Sequence, residues 1–378
     1  MKLIYFANTR LPTEKARGLQ IMKSCEAFLK NGVDIELIVP SGRPPTKGDP
    51  FRYYGLKNPF PIKKVFNINP TFLKSEKIIF YTRSLSFAFF SAIHFLFSKK
   101  DFIAYSRDLS TLLLLTLVGA NPIAEIHDYR HSKPKRFVRY VLNKSKKIVV
   151  NSEGTKKAIL DIYDIPISKI LVVSNGVDTE FFDIPENKME ARKKLNIPLD
   201  KNVIAYVGRL ETIGQEKGIS DLIKAFRILN NKDNFLYIVG GPSDYVKKYK
   251  EEAKDISNIV FTGQVEYEKT PLYLRAVDIL VIPSPQSQHS KTTSPIKLFE
   301  YMAAGKAIVA SDLPAFRSYL NNDNAIFFES ENPKDLSSKL NYVLENTKRA
   351  RIIGERALID SKKYLWLNRA KKIINFIS

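Results

Sequence analysis

Cysteine is nearly missing from this chain. Cys25 stands alone among 378 residues, which excludes an intramolecular disulfide and fits a reducing compartment. Histidine is almost as sparse. Its four residues, with one cysteine and no clustered spacing, exclude a structural zinc site. No acidic pair of the D-x-D kind follows a strand-like run, so no metal is expected. No G-x-G-x-x-G occurs, so there is no dinucleotide fingerprint. Short-period repeats and low-complexity tracts are missing as well. Apolar runs of membrane-spanning quality are also scarce, since a span needs ~20 apolar residues. Residues 79–97 are long enough but carry Thr82, Arg83, Ser84, Ser86, Ser91 and His94, and residues 112–118 are too few. Both read as buried helices; the first, flanked by Lys99 and Lys100, also suits a contact within a membrane interface. Met1-Lys2 leads straight into an apolar run with no leader pattern. The expected location is therefore cytoplasmic, with the inner face of a membrane as the peripheral option.

Acidic charge is the scarcer sign. Lys and Arg number 60 against 39 Asp and Glu, a net charge of +21. Residues 1–182 hold 29 Lys/Arg against 15 Asp/Glu, a balance of +14; residues 183–378 hold 31 against 24, or +7. Nucleic acid, an anionic membrane surface or phosphorylated substrates would each answer such a field, and so would a lysine-rich proteome with no partner at all.

What is present is a well-packed globular composition, 44% hydrophobic and 11% aromatic, in a chain long enough for two domains. Short apolar runs alternate with helical patterns. In the first half they cover 3–7, 35–39, 102–105, 123–126, 148–150 and 170–173. In the second they cover 203–207, 235–239, 259–261, 279–282, 307–310 and 325–328. Continuous apolar strands of this kind belong to parallel sheets covered on both faces. Six runs per half predict an α/β protein of two doubly wound domains of similar size. The expected division is 1–180 and 181–361, with the polar segment after Asn175-Gly176 as a hinge. The end of the helical stretch 333–378 is expected to cross back to the first domain over 362–378. Two such domains would present a ligand cleft at the carboxyl ends of their strands.

Residues 292–306 read as a helix start built to hold an anion. Ser294 is a good N-cap, Pro295 suits the first helical position, and Gly305 supplies the stop. Free N–H groups at such an end favour a phosphate. Lys297 sits in the first turn, where a cation is normally disfavoured. Glu300, three residues on, shares its face and can accept hydrogen bonds from a sugar diol. An ordinary surface helix fits the same pattern.

The order and spacing of several motifs make the chain resemble the retaining nucleotide-sugar glycosyltransferases of the GT-B fold, family 4. They are Ser174-Asn175-Gly176-Val177-Asp178 with Phe181-Phe182, Tyr206-Val207-Gly208-Arg209-Leu210, Glu216-Lys217-Gly218, Ile238-Val239-Gly240-Gly241, Phe261-Thr262-Gly263, the stretch 295–305, and Ile308-Val309-Ala310-Ser311. The resemblance implies two Rossmann-like domains, an N-terminal one for the acceptor and a C-terminal one for the donor, which close on a hinge to exclude water. It implies a hexosyltransferase acting on a nucleotide diphosphate sugar, without metal or other cofactor. The acceptor would be a hydroxyl, in particular a lipid-linked or cell-surface glycan precursor.

Residue by residue, Arg209 and Lys217 take the place of the basic pair that grips the diphosphate. They stand eight residues apart, with 212–215 as a small insertion. Glu300 matches the second glutamate of the family's signature and would hold the ribose. Thr292 occupies the first glutamate's position, so contact with the donor sugar rests on a hydroxyl. Ser294, Ile296, Lys297 and Gly263 complete the donor-binding set. His127, at the end of Glu125-Ile126-His127-Asp128, is implied to line the reacting centre. Arg10, Arg17 and Gly18 after the first strand, with Arg107 and Asp128, form the expected acceptor side.

Residues 130–147 hold eight basic residues (among them Arg130, Lys133, Arg136 and Arg139) and no acid, with Phe137, Val138, Val141 and Leu142 as an apolar side. A helix packed on the sheet with a solvated face and an anionic-membrane contact both fit. Two other readings stay open: a basic, non-catalytic nucleic-acid-binding protein, and a GT-B enzyme of another reaction such as a sugar-nucleotide epimerase or a phosphorylase. The favoured reading expects no nucleic acid.

Overall fold

The computed structural model describes residues 1–70, 74–98, 101–127, 135–212, 214–287, 290, 292 and 294–378. Each apolar run becomes a parallel strand. In the first unit these are β1 (Lys2–Phe6), β2 (Asp34–Pro40), β3 (Ile62–Val65), β4 (Ile103–Ser106), β5 (Ile123–Ile126), β6 (Lys147–Val150) and β7 (Ile170–Val172). Their order is β3-β2-β1-β4-β5-β6-β7, and every pairing is parallel. β3 was not expected. Its Lys63 and Lys64 break the apolar pattern, which an edge strand tolerates; Lys63 pairs with Glu36 at 2.6 Å.

The second unit contains β8 (Asn202–Val207), β9 (Glu211–Thr212), β10 (Gln215–Glu216), β11 (Asn234–Val239), β12 (Ile259–Gly263), β13 (Ile279–Ile282), β14 (Ala307–Ser311) and β15 (Ile326–Phe328). Six form a parallel sheet in the order β12-β11-β8-β13-β14-β15. The expected insertion at 212–215 falls within the antiparallel hairpin β9–β10; Ile213 lies outside the described residues. The two-residue period sorts the central strand between two cores. Val203, Ala205 and Val207 pack with Leu298, Phe299 and Met302 on one face. Ile204 and Tyr206 pack with Ile219, Leu222 and Phe226 on the other.

The chain divides into Met1–Asn175 with Trp366–Ser378, and Gly176–Leu365. The first crossing falls five residues before the expected boundary because Val177 bridges to Leu365 and donates its N–H to Tyr364 O at 2.8 Å. The returning helix Trp366–Ile377 packs on the helix Ala16–Lys30, and Asn31 Nδ2 donates to Leu367 O at 3.1 Å.

The structure corrects the reading of the first apolar stretch. The helix Glu76–Phe97 is not a buried helix, since only a third of its most apolar stretch is covered. Its buried stripe is Ser84, Phe87, Ala88, Ser91 and Ala92. The second apolar stretch forms the helix Leu109–Leu117, buried through Thr111, Leu112, Leu115 and Thr116 but with Leu117 exposed. Lys99, Lys100, Asp128, Arg130 and Lys133 lie outside the described residues.

Candidate functional site

The second sheet reverses its strand order at β8, whose neighbours β11 and β13 begin the runs to either edge. Open α/β sheets place ligands at the carboxyl ends of strands at such a switch point. Here the backbone is unusually close. A Cβ on Gly240, which follows β11, would stand 2.0 Å from Gly208 O after β8. Gly218 adopts a left-handed φ of +76° at the head of the helix Ile219–Leu229. A Cβ there would stand 1.6 Å from Pro283 O, so only glycine lets the loop carrying Lys217 close on the end of β13.

Lys217 and Lys297 line one recess with Pro295, Ser284, Ser287 and Ser290. Lys297 Nζ lies 3.8 Å from the centroid of the Tyr206 ring and donates to the Tyr206 hydroxyl, which donates in turn to Arg209 O. Burial, and then the charge of Lys217, pull the Lys297 pKa well below that of an ordinary lysine. Burial likewise lowers Lys217, against the attraction of Glu211. A desolvated lysine pair in which the charge of Lys217 disfavours that of Lys297 forms a site with unspent affinity for an anion.

Glu300, 9% exposed, accepts from Tyr267 OH at 3.0 Å. Burial raises its carboxyl to about 7, opposed by that hydrogen bond and by Lys297. Tyr267 is held by a parallel stack on Phe181, 4.9 Å between centroids and 5° between planes. Tyr301 locks the same helix to β8, accepting from Val207 N at 2.7 Å and donating to Val207 O at 3.1 Å.

The helix itself spans Ile296–Ala303 and starts one residue later than expected. Pro295, not Ser294, is the N-cap, with extended dihedrals and no side-chain cap. Proline cannot donate and here needs no N–H; the first helical amides belong to Ile296 and Lys297. Ser294 is buried and Thr292 half-buried. Gly305 ends the helix as expected, at a left-handed φ of +65°. Arg209 follows β8, with Nε 3.4 Å from Glu211 O, but does not line the recess of Lys217 and Lys297. Gly263 closes β12, its carbonyl accepting from Gly240 N at 2.9 Å. Among the described residues no three His, Cys, Asp or Glu side chains gather to hold a metal.

The first unit holds a second polar cluster. Glu125, 2% exposed on β5, accepts from Tyr5 OH at 3.1 Å and pairs with both Arg369 and His127 Nε2. Burial works to raise the Glu125 pKa, but Arg369 and then His127 hold it well below the usual carboxylate range. Burial, and then the Arg107 charge, push His127 down to about 4, so the ring is neutral near pH 7. With Nε2 given to Glu125, Nδ1 is buried and has no hydrogen-bond partner among the described residues. Arg107 Nη1 donates to Gln20 Oε1 at 2.7 Å. Arg17 pairs with Asp108, which also accepts from Asn8 N at 2.8 Å, so this arginine is already engaged where β1 and β4 end. Arg10 lies beside Gly42, with burial and Arg83 lowering its pKa. Gly18 is buried: a Cβ would meet Tyr54 OH at 2.1 Å, which makes it a packing position.

Sequence reasoning missed Glu125, Arg369, Tyr206 and Tyr267. Glu125 left a signal, a lone carboxylate inside an apolar strand. Arg369 left none, because its partner lies 244 residues away.

Two Rossmann-like α/β units of parallel sheet, one of them with paired cations and a carboxylate at its switch point, define the GT-B class. Residues 187–359 match the model of glycosyl transferases group 1, and residues 20–181 match that of glycosyltransferase family 4. The two matches lie one after the other over most of the chain, and both are models of glycosyltransferases. An uncharacterized glycosyltransferase of Methanocaldococcus jannaschii is 27% identical over 60% of this chain and 58% of its own. The alpha-monoglucosyldiacylglycerol synthase of Streptococcus pneumoniae is 28% identical over 51% of this chain and 42% of its own. The chain thus spans about half the length of these relatives. The Anabaena protein HepE, solved in complex with UDP, shares the fold with a TM-score of 0.75 at 15% identity, over 99% of both chains.

Proposed function

We propose that the chain transfers a sugar from a nucleoside diphosphate sugar to an acceptor hydroxyl with retention of configuration. The observation that carries this reading is the pair of desolvated lysines, Lys217 and Lys297, facing one recess at the switch point of the second sheet. Such a pair is suited to a diphosphate, whose charge grows as the sugar leaves. Lys217 stabilises the departing diphosphate from within the recess and Arg209 from outside it, after β8, and these cations supply the charge that a metal ion would otherwise bring. Lys297 and the Ile296 amide bind phosphate oxygens beside Ser294, and Glu300 accepts from the ribose diol. Thr292 and Gly263 border the donor. The C1–phosphate oxygen bond breaks as the acceptor oxygen bonds C1 on the same face, and the acceptor proton passes to the leaving phosphate. His127 lines the reacting centre with a neutral ring, and Arg10, Arg17 and Arg107 border the acceptor.

UDP is the favoured nucleotide, because HepE was solved with it. A lipid-linked or membrane-proximal acceptor is favoured by the +14 balance of residues 1–182 and by the lipid named in the Streptococcus relative. The test is calorimetry with UDP, GDP and ADP on the wild type and on Glu300→Ala. One nucleotide is expected to bind, and about tenfold or more weaker in the variant, the range for hydrogen bonds to a charged group. No binding of any nucleotide would remove the donor site and leave the basic surface to a nucleic-acid reading.

A further inference from the structure

The helix Glu76–Phe97 carries an apolar face that its own unit leaves uncovered. Ile78, Leu85, Phe89 and Leu96 are exposed by 52%, 55%, 54% and 50%. Their spacing of seven, four and seven residues keeps all four within about 40° of arc at 100° per residue. They form a straight stripe about 27 Å long at 1.5 Å rise per residue. Phe66 and Ile68 widen it. Phe66, 60% exposed, packs edge-to-face on Phe90 at 5.0 Å, and Ile68 N donates to Ser86 Oγ at 3.0 Å. Isolated exposed apolar residues need no explanation, but a contiguous stripe of this size marks an interaction surface.

The neighbours of the stripe indicate what it meets. The helix packs on Leu109–Leu117, which packs on Lys135–Lys144, so three helices lie side by side in the first unit. The middle helix exposes Leu117 by 60%. The third buries Val138, Val141 and Leu142 and exposes Lys135, Arg136, Arg139 and Lys144. An apolar stripe beside a row of cations matches an anionic bilayer, with headgroups at the cations and acyl chains at the stripe. A spanning helix is excluded by the opposite face, where Phe87 and Ala88 are fully buried in the unit.

We infer that the face formed by these three helices docks on an anionic lipid surface, with Ile78, Leu85, Phe89 and Leu96 inserted at the interface. This extends the membrane-proximal reading of the acceptor to a specific surface, and it stands or falls apart from nucleotide binding.

The experiment is co-sedimentation of the full chain with vesicles of phosphatidylglycerol and phosphatidylcholine, and with vesicles of phosphatidylcholine alone. The wild type is expected to pellet with the anionic vesicles and to stay in solution with the neutral ones. Leu85→Gln/Phe89→Gln, two exposed changes, should lower partitioning about tenfold or more while keeping the wild-type melting curve and nucleotide affinity. Arg136→Glu/Arg139→Glu should weaken it by a similar factor and respond less to salt. Wild-type protein left in the supernatant of anionic vesicles overturns the inference, as does a Gln variant that pellets unchanged. A wild type that sediments as a dimer, with the Gln variant monomeric, assigns the stripe to self-association and overturns it too. Lost nucleotide affinity with intact vesicle binding would instead count against the proposed donor site alone.

Discussion

Glu300 and Lys297 sit three residues apart with opposed problems. Burial disfavours the charged form of both, pushing the carboxyl up to about 7 and the ammonium down. A bound diphosphate would relieve the lysine, and a ribose diol would reward the ionised carboxylate. Nucleotide affinity should therefore be bell-shaped in pH. Below pH 7 Glu300 takes up a proton and loses acceptor capacity, so affinity falls about tenfold from pH 8 to pH 6 if the bound pKa lies well below 7. On the alkaline side Lys297 loses its charge, again weakening binding. Calorimetric titration across pH checks both limbs: Glu300→Gln should flatten the acid limb and Lys297→Met the alkaline one. An acid limb that survives Glu300→Gln would assign the titration to another group; Tyr267, raised far above its usual range, is not a candidate. These residues were legible in the sequence as types in a pattern. Their pKa values were not, because burial comes from strands far along the chain.

At the scale of elements, the loop between β10 and the helix Ile219–Leu229 shows how a small local rule aims a lysine side chain. Gly218 is the only residue type that fits between Lys217 and Pro283 O. Gly218→Ala should force that loop away from β13 and strain a left-handed position, costing about 1–3 kcal/mol in a urea melt. Nucleotide affinity should drop with it, as Lys217 retreats from the recess. Unchanged melting together with unchanged affinity would show that the loop adapts and does not depend on this contact. The strand runs were readable because buried parallel strands are continuously apolar. β3 escaped because edge strands carry charge, and the Ile296–Ala303 boundary slipped by one residue because Pro295 suits a cap as well as a first turn. The helix Glu76–Phe97 was misjudged as buried since composition reports apolarity without saying which face is covered.

At the scale of the whole molecule, the last helix fastens the first unit through a buried ion pair. Arg369 reaches Glu125 while its Nε donates to Ser174 O at 3.1 Å, and both side chains are almost fully covered. Removing one partner leaves an uncompensated buried charge, so Arg369→Ala should cost about 3–5 kcal/mol in chemical denaturation. Adding Glu125→Gln should recover part of that loss, since the orphaned charge disappears. A double variant no better than the single one would place the loss in packing. The same pair holds His127, so the end of the chain also decides how that ring presents Nδ1.

The sequence by itself determined the class of fold and the strand inventory at the centres of both sheets, and it put Lys217, Lys297 and Glu300 forward as candidates. Those features follow from local pattern: apolar continuity, glycine at forced turns, charge at a helix start. Only the tertiary structure decided that Glu125 and Arg369 meet across 244 residues, that Gly18 belongs to packing, and that Arg17 is already paired. It alone decided which side of an apolar helix faces outward. The reason is physical: solvation and pairing are properties of surroundings assembled from distant segments, and a run of residues carries no record of what will cover it.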